Sequence, residues 1–151
     1  MATIYERLLV PVNGTEHDER VMSIVAELAH EHQIAITLIY VVEVQQSMPL
    51  DAELPAEVDR GETILQRAEQ YALTRPHHKL ILVTSDLLQA RSAGAAIVDE
   101  AIERRADAIV MAARNHTVHG KVTMGETVNY VLKNAPCEVI AVRVTSGSTA
   151  R

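Results

Sequence analysis

Residues 110–128, VMAARNHTVHGKVTMGETV, concentrate side chains that could bind an anion. The segment starts as an apolar strand and reaches a predicted helix just after Gly125. The loop between them contributes four cationic or titratable side chains, which are Arg114, His116, His119 and Lys121. A loop of this kind before a helix N-terminus is a common phosphate site, because the first N–H groups of a helix lack intrahelical partners. Glu126, however, places a carboxylate there, and it would equally complement the helix dipole in a connection that binds nothing, so the local residues leave both interpretations open.

Other reactive side chains lack the arrangement that catalysis or a metal site requires. The sequence contains two close histidine pairs, which are His116 with His119 and His77 with His78. A zinc site needs three or four convergent ligands, and neither an HExxH motif nor a cysteine pair supplies them. No serine lies in a G-x-S-x-G setting, and no G-x-x-x-x-G-K-[ST] loop occurs. We therefore expect no metal, no catalytic residue and no enzymatic activity, and the segment 112–127 is the strongest functional candidate.

The composition predicts one small cytoplasmic domain that binds neither nucleic acid nor membrane. The chain has 151 residues, 48% of them hydrophobic, so it can bury an aliphatic core. It contains neither Trp nor Phe and carries a net charge of −6, which argues against stacking on nucleic-acid bases and against a polyanionic partner. No apolar run approaches the ~18 residues of a membrane span, and the N-terminus does not resemble a signal peptide. The single cysteine, Cys137, is consistent with a reducing compartment.

Aliphatic, β-branched runs alternate with helical repeats along the chain. The predicted strands cover residues 7–12, 34–42, 79–87, 106–113 and 137–144. The predicted helices run from a Thr15 cap, paired with Asp18, to about His30, and then over residues 55–74, 94–105 and 126–134. Helical spacing predicts that Ile102 in the third helix and Leu132 in the fourth face the core.

Strands that are apolar on both faces and alternate with helices predict a parallel sheet covered on both sides. In such an α/β fold, ligands bind beyond the carboxyl ends of the strands, where the strand order reverses. The residues at these ends are Pro11, Val12 and Asn13 on the first strand, Val41 and Val42 on the second, and Met111 and Ala112 on the fourth. The segment 112–127 follows the same edge of the sheet.

Two long segments resemble the universal stress protein family. They are LLVPVNGTEHDERVMSIVAELA, residues 8–29, and ADAIVMAARNHTVHGKVTMGETVNYVLKNAPCEVIAVR, residues 106–143, and the resemblance covers almost the whole chain. Members of the family that bind nucleotides carry Gly, two residues, Gly, nine residues, and then Gly followed by Ser or Thr. The matching positions here are Ala112, Asn115, Gly125 and Glu126, so only the last glycine is kept. Asn13 stands where these members usually have Asp, which contacts the adenosine part, and Val41 matches the usual adenine contact.

The resemblance implies a Rossmann-like or flavodoxin-like open sheet of five parallel strands in the order 3-2-1-4-5. It further implies one domain over residues 1–144, followed by a tail, residues 145–151, that we expect to be mobile. The implied cofactor is an adenine nucleotide (AMP, ADP or ATP). The expected binding residues are Pro11, Val12, Asn13 and Val41 at the adenine end, Met111 and Ala112 between, and Arg114, Asn115, Gly125, Glu126 and Thr127 at the phosphate end. Asn115 tolerates positive φ, so the phosphate turn could survive there, whereas the Glu126 carboxylate favours AMP or ADP over ATP.

The resemblance also implies partners. A regulatory homodimer is expected through the last strand, residues 138–144, because an apolar edge strand invites pairing and the family points to the same edge. Residues 48–69 and 87–94 resemble universal stress domains that are fused to, or encoded with, amino-acid permeases, which suggests a permease as a protein partner. One alternative function is a dimeric adaptor that binds no nucleotide and acts through protein contacts. Another is an ATP-using enzyme of related architecture, although no catalytic constellation supports it.

Overall fold

A computed structural model of the chain describes residues 5–29, 32–75, 79 and 81–143. In chain order, its elements are β1 (Arg7–Pro11), α1 (His17–Leu28), β2 (Ile34–Glu43), α2 (Pro55–Leu73), β3 (Ile81–Ala90), α3 (Ala93–Glu103), β4 (Ala108–Ala113), β5 (Asn115–Val118), β6 (Lys121–Met124), α4 (Glu126–Asn134) and β7 (Glu138–Arg143). The predicted helix end at His30, the pair His77 and His78, the strand end at residue 144 and the predicted tail 145–151 lie outside the described residues.

The main sheet has five strands in the order β3-β2-β1-β4-β7. Every neighbouring pair in it is parallel. With β7 as the fifth strand of this sheet, the predicted order 3-2-1-4-5 is confirmed. The order reverses at β1, whose neighbours β2 and β4 are followed by helices on opposite faces. This reversal opens the crevice in which α/β proteins of this kind hold ligands.

The sheet is buried on both faces by aliphatic side chains. Leu8 and Val10 join the core on the side of α1 and α2, whereas Leu9 joins the core on the side of α3 and α4. This division follows from the alternation of side chains along a strand. Each fully buried Leu, Ile or Val contributes about 1.5–3 kcal/mol relative to an exposed one, so an aliphatic core without Phe or Trp suffices to cover the sheet.

The buried stripes of α3 and α4 are narrower than the sequence pattern predicts. Ile102 is 58% exposed and Leu132 is 43% exposed, so the prediction that both face the core is wrong. Ile97, Val98 and Ala101 fill the inner face of α3. A step of 100° per residue from Ala101 carries Ile102 onto the flank of that stripe. Leu132 takes the corresponding flank position one residue after the buried Val131.

No helix in the described ranges combines the length and the apolar character needed to cross a membrane.

Candidate functional site

A cleft of about 320 Å³ lies at the carboxyl ends of β1, β2 and β4. Its lining consists of Pro11, Val12, Asn13, Ile39, Tyr40, Val41, Glu43, Ala93, Ile97, Met111, Ala112, Arg114, Gly125, Glu126, Thr127 and Val128. The predicted site residues therefore lie together around one cavity, except Asn115, whose side chain falls outside the description. The sequence interpretation missed Ile39, Tyr40, Glu43, Ala93, Ile97 and Val128.

The turn after β1 fixes Asn13 at the middle of the cleft. Its side-chain oxygen accepts hydrogen bonds from the backbone N–H of Thr15 at 3.1 Å and from the Thr15 hydroxyl at 2.8 Å. Gly14 has a φ of 85°, a conformation that side chains with a Cβ rarely adopt. Because the oxygen of Asn13 is engaged within the turn, the side chain has its NH₂ group to offer a ligand, whereas an Asp at this position would offer only acceptors.

Asp18 holds the same turn from the first turn of α1. Its carboxylate accepts from the backbone N–H of Gly14 at 2.7 Å and from that of Asn13 at 3.2 Å. Burial raises the pKa of Asp18 above its ordinary value of 3.8, outweighing these N–H donors, which favour the charged form. The predicted cap at Thr15 is confirmed in part: Glu16 occupies the cap position of α1, but the Thr15 hydroxyl accepts from the backbone N–H of His17, the first helical residue, at 3.3 Å. Asp18 is instead bonded to the turn that positions Asn13.

The predicted phosphate loop is an antiparallel hairpin. Strands β5 and β6 pair from Asn115 with Met124 to residues 118 with 121. The turn between them has His119 at φ 52° and Gly120 at φ 77°, the pair of positive angles that a two-residue type I′ connection requires. Asn115 is therefore the first residue of a strand, and the positive φ that its residue type was expected to tolerate does not occur there. The signal in the sequence was Gly120 between two short runs of β-branched residues.

The hairpin uses one of the N–H groups that was expected to face phosphate. The backbone N–H of Gly125 donates to the carbonyl oxygen of Arg114 at 3.2 Å and closes the base of the hairpin. Gly125 is also the N-cap of α4, where no side chain caps the helix. The first-turn N–H groups of α4, beginning at Glu126, are the donors left at this end of the cleft. The Glu126 side chain is exposed beside them.

The opposite end of the cleft is formed by β2 and α3. Val41 and Ile97 supply apolar surface there. Glu43, the last residue of β2, reaches the start of α3, where its Oε2 accepts from the backbone N–H of Ala93 at 3.1 Å. Ser92 caps the same helix by accepting from the N–H of Ala95 at 3.4 Å. This end is therefore an apolar surface bordered by one carboxylate.

The charges of the cleft are unevenly distributed. Arg114 and Glu126 lie at the β4–α4 end, and Glu43 lies at the β2–α3 end. Because β2 and β4 flank β1, the two ends are about two strand spacings, roughly 10 Å, apart. The described lining thus offers a cation and helix N–H groups at one end and an apolar surface with an acceptor at the other. Such a cleft suits an elongated molecule with an anionic end and a flat end that carries hydrogen-bond donors.

A larger cavity of about 500 Å³ lies between α1 and α2, where Asp18, Met22 and Tyr71 are among its lining residues. It is lined by the two helices and the loop after β1, and none of the β4 or α4 residues contributes to it. The smaller cleft is the better candidate, because it lies at the reversal of strand order and combines apolar surface with converging polar groups. Within the part of the chain that the structure describes, no group of three or more His, Cys, Asp or Glu side chains could hold a metal ion.

Comparison with known proteins places the chain in a family. The model of the universal stress protein family matches residues 4–143. The chain belongs to the universal stress protein family. A Thermus aquaticus member, described as the universal stress protein in the QAH/OAS sulfhydrylase 3′ region, is 30% identical over 144 residues, which cover 93% of this chain and 100% of that protein.

Solved structures of universal stress proteins share the fold. One from Archaeoglobus fulgidus superposes with a TM-score of 0.72 at 22% identity, covering 92% of this chain and 99% of that one. A family member from Arabidopsis thaliana, solved with AMP bound, has a TM-score of 0.63 at 16% identity, with 95% of each chain covered. At these identities, the likeness establishes the common α/β architecture.

Proposed function

We propose that this universal stress protein binds an adenine nucleotide in the cleft at the ends of β1, β2 and β4 and acts as a regulatory protein rather than as an enzyme. The observation that carries the proposal is the convergence of the residues implied by the family pattern on one cleft. The family member from Arabidopsis thaliana with AMP bound provides a precedent within the same fold.

In the proposed complex, the nucleotide extends across β1. The adenine ring lies on Val41 and Ile97 at the β2–α3 end, and the ribose passes Pro11 and Asn13. The phosphate meets Arg114 and the first-turn N–H groups of α4 at Thr127. The distance of roughly 10 Å between these ends matches the reach of a mononucleotide from base to phosphate.

We further propose that AMP and ADP are preferred to ATP. The N–H of Gly125 is already bonded to the Arg114 carbonyl, so one donor that a polyphosphate would use is engaged. The exposed Glu126 carboxylate lies at the start of α4, in the direction that further phosphates would take. A monophosphate can bind Arg114 without approaching this carboxylate, whereas a triphosphate must pass it.

The proposed functional unit is a homodimer formed through the edge of β7. This strand ends the sheet next to β4, and its apolar residues Val139, on one face, and Ile140 and Val142, on the other, are only partly buried. Backbone pairing of two such edges would satisfy their N–H and C=O groups and bury these side chains. The permease partner suggested by residues 48–69 and 87–94, and the cytoplasmic location, stay predictions.

Calorimetric titration of the purified protein with AMP, ADP and ATP tests the proposal, together with mass analysis of any nucleotide that copurifies. We expect AMP and ADP to bind with similar affinity and ATP more weakly. Equal affinities for adenosine and for AMP would show that the phosphate end of the cleft contributes nothing to binding. Failure of a folded sample to bind any of the three would contradict the proposal and favour the adaptor function, in which the hairpin is a surface for protein contacts.

A further inference from the structure

Glu43 both bonds the start of α3 and lines the cleft. It follows Val41 by two residues, so both side chains project toward the face of the sheet that α3 covers. Its Oε2 is fixed by the N–H of Ala93 at 3.1 Å, at the first residue of α3. Ala93 and Glu43 both line the cleft beside Val41.

The hydrogen bond to Ala93 leaves Glu43 with a second carboxylate oxygen. An ionised carboxylate accepts hydrogen bonds through both oxygens, and fixing one of them orients the other. Within the described lining, the second carboxylate, that of Glu126, lies at the β4–α4 end, so Glu43 is the carboxylate of the β2–α3 end. A ring that lies on Val41 and Ile97 would therefore present its edge to an oriented acceptor.

We infer that Glu43 determines base specificity by accepting a hydrogen bond from the exocyclic amino group of adenine. The inference rests on the proposed function, because it assigns the base end of the same cleft. A base with an amino group at this edge supplies the donor that Glu43 Oε1 requires. A base without it cannot make this hydrogen bond, and because the Glu43 side chain is exposed, its carboxylate keeps water instead, so the preference equals the worth of the one lost charge-assisted hydrogen bond.

The test compares AMP with purine riboside 5′-monophosphate, which differs from AMP only by lacking the amino group. Affinities of both are measured by calorimetry for the wild-type protein, for Glu43→Gln and for Glu103→Gln. The last variant removes the same charge from the exposed end of α3, outside the cleft. Glu43→Gln keeps an oxygen for the N–H of Ala93 and turns an NH₂ group toward the base, so α3 keeps its contact while the acceptor is lost.

We expect the wild type and Glu103→Gln to bind AMP at least about tenfold more tightly than the analogue, the effect of one charge-assisted hydrogen bond. In Glu43→Gln, AMP should lose about tenfold and the analogue should change little, so that the ratio falls below about threefold. A role confined to holding α3 would lower the melting temperature and both affinities while keeping the ratio, and this result would overturn the inference.

Two other outcomes are equally decisive. A wild-type protein that binds AMP and the analogue with equal affinity would refute the role of Glu43 while leaving nucleotide binding intact. A folded wild-type protein that binds neither compound would contradict the proposed function itself, and the assignment of Glu43 would fall with it.

Discussion

Replacing Glu126 by serine should convert the cleft from one that disfavours ATP to one that accepts it. The Glu126 side chain is exposed at the first residue of α4, next to N–H groups without intrahelical acceptors. Serine removes the negative charge and adds the hydroxyl group that nucleotide-binding relatives carry after their last glycine. The change lies outside the core, so the free energy of unfolding should stay within about 0.5 kcal/mol of the wild-type value.

The expected gain follows from the exposure of the carboxylate. Two unit charges about 4 Å apart repel by ~4 kcal/mol in a partly buried site but by only ~1 kcal/mol in water. Because Glu126 is exposed, the lower limit applies to each phosphate charge that passes it, and ATP brings more such charges than AMP. A total of about 1–2 kcal/mol corresponds to roughly a five- to thirtyfold gain for ATP. AMP should gain about threefold at most, mainly from the new hydroxyl.

Calorimetric titration of the wild type and Glu126→Ser with AMP and ATP measures this difference. The titrations should be repeated at higher salt, where screening must shrink the gain for ATP. Glu103→Ser is the matched control, since it removes an exposed helical glutamate that does not line the cleft. Equal gains for AMP and ATP, or a gain for ATP that salt leaves unchanged, would refute the view that Glu126 repels the terminal phosphates.

Three further predictions test other parts of the molecule. Arg114→Ala should weaken AMP binding by about tenfold in calorimetry, because a charge-assisted phosphate contact contributes roughly 1.5–3 kcal/mol, while thermal melting should hardly change; an unaltered affinity would place the phosphate elsewhere. Val142→Lys, on the edge strand β7, should lower the mass from light scattering toward the monomer value of 16.6 kDa with unchanged circular dichroism, and a folded dimeric variant would locate the interface elsewhere. Asp18 has a pKa raised above 3.8, so its stabilising contribution is complete below that pH and is lost as the pH rises through the folded pKa. The stability advantage of the wild type over Asp18→Asn in urea unfolding should therefore shrink as the pH rises above about 4, and an advantage that grows with pH would contradict the raised pKa.

The parallel sheet was predictable because its strands are buried on both faces. Continuous aliphatic runs such as residues 34–42 admit few other interpretations, and β2 covers Ile34–Glu43. Pro55 marked the first residue of α2 because proline suits the first helical turn. The flanks of α3 and α4 were less predictable, since helical spacing places a residue on a side of the helix but does not say how far the neighbouring element extends. Ile102 shows this limit, because its spacing fits the apolar stripe while its surroundings leave it exposed.

The site was predictable where it follows the strand ends and unpredictable where it depends on contacts between distant segments. Asn13 and Met111 were expected at the cleft because each comes at the carboxyl end of a buried strand. The orientation of the Glu43 side chain was not predictable, because it depends on a hydrogen bond from the N–H of Ala93, which lies 50 residues along the chain. The hairpin escaped prediction because its strands are only four residues long and lack a clean alternation of apolar and polar residues, so the turn signal of His119 and Gly120 stood alone.

The backbone hydrogen bond between Gly125 and Arg114 closes the hairpin that forms the proposed phosphate end of the cleft. A glycine-rich loop gives up its backbone freedom only when a ligand arrives, at a cost of about 1–2 kcal/mol for each residue that becomes ordered. The hairpin has already given up that freedom during folding, so a nucleotide bound as proposed would meet a preorganised surface. In the proposed complex, a fixed surface would thus replace a loop that closes around different phosphate chains, and a mononucleotide would associate at a rate that no loop closure limits.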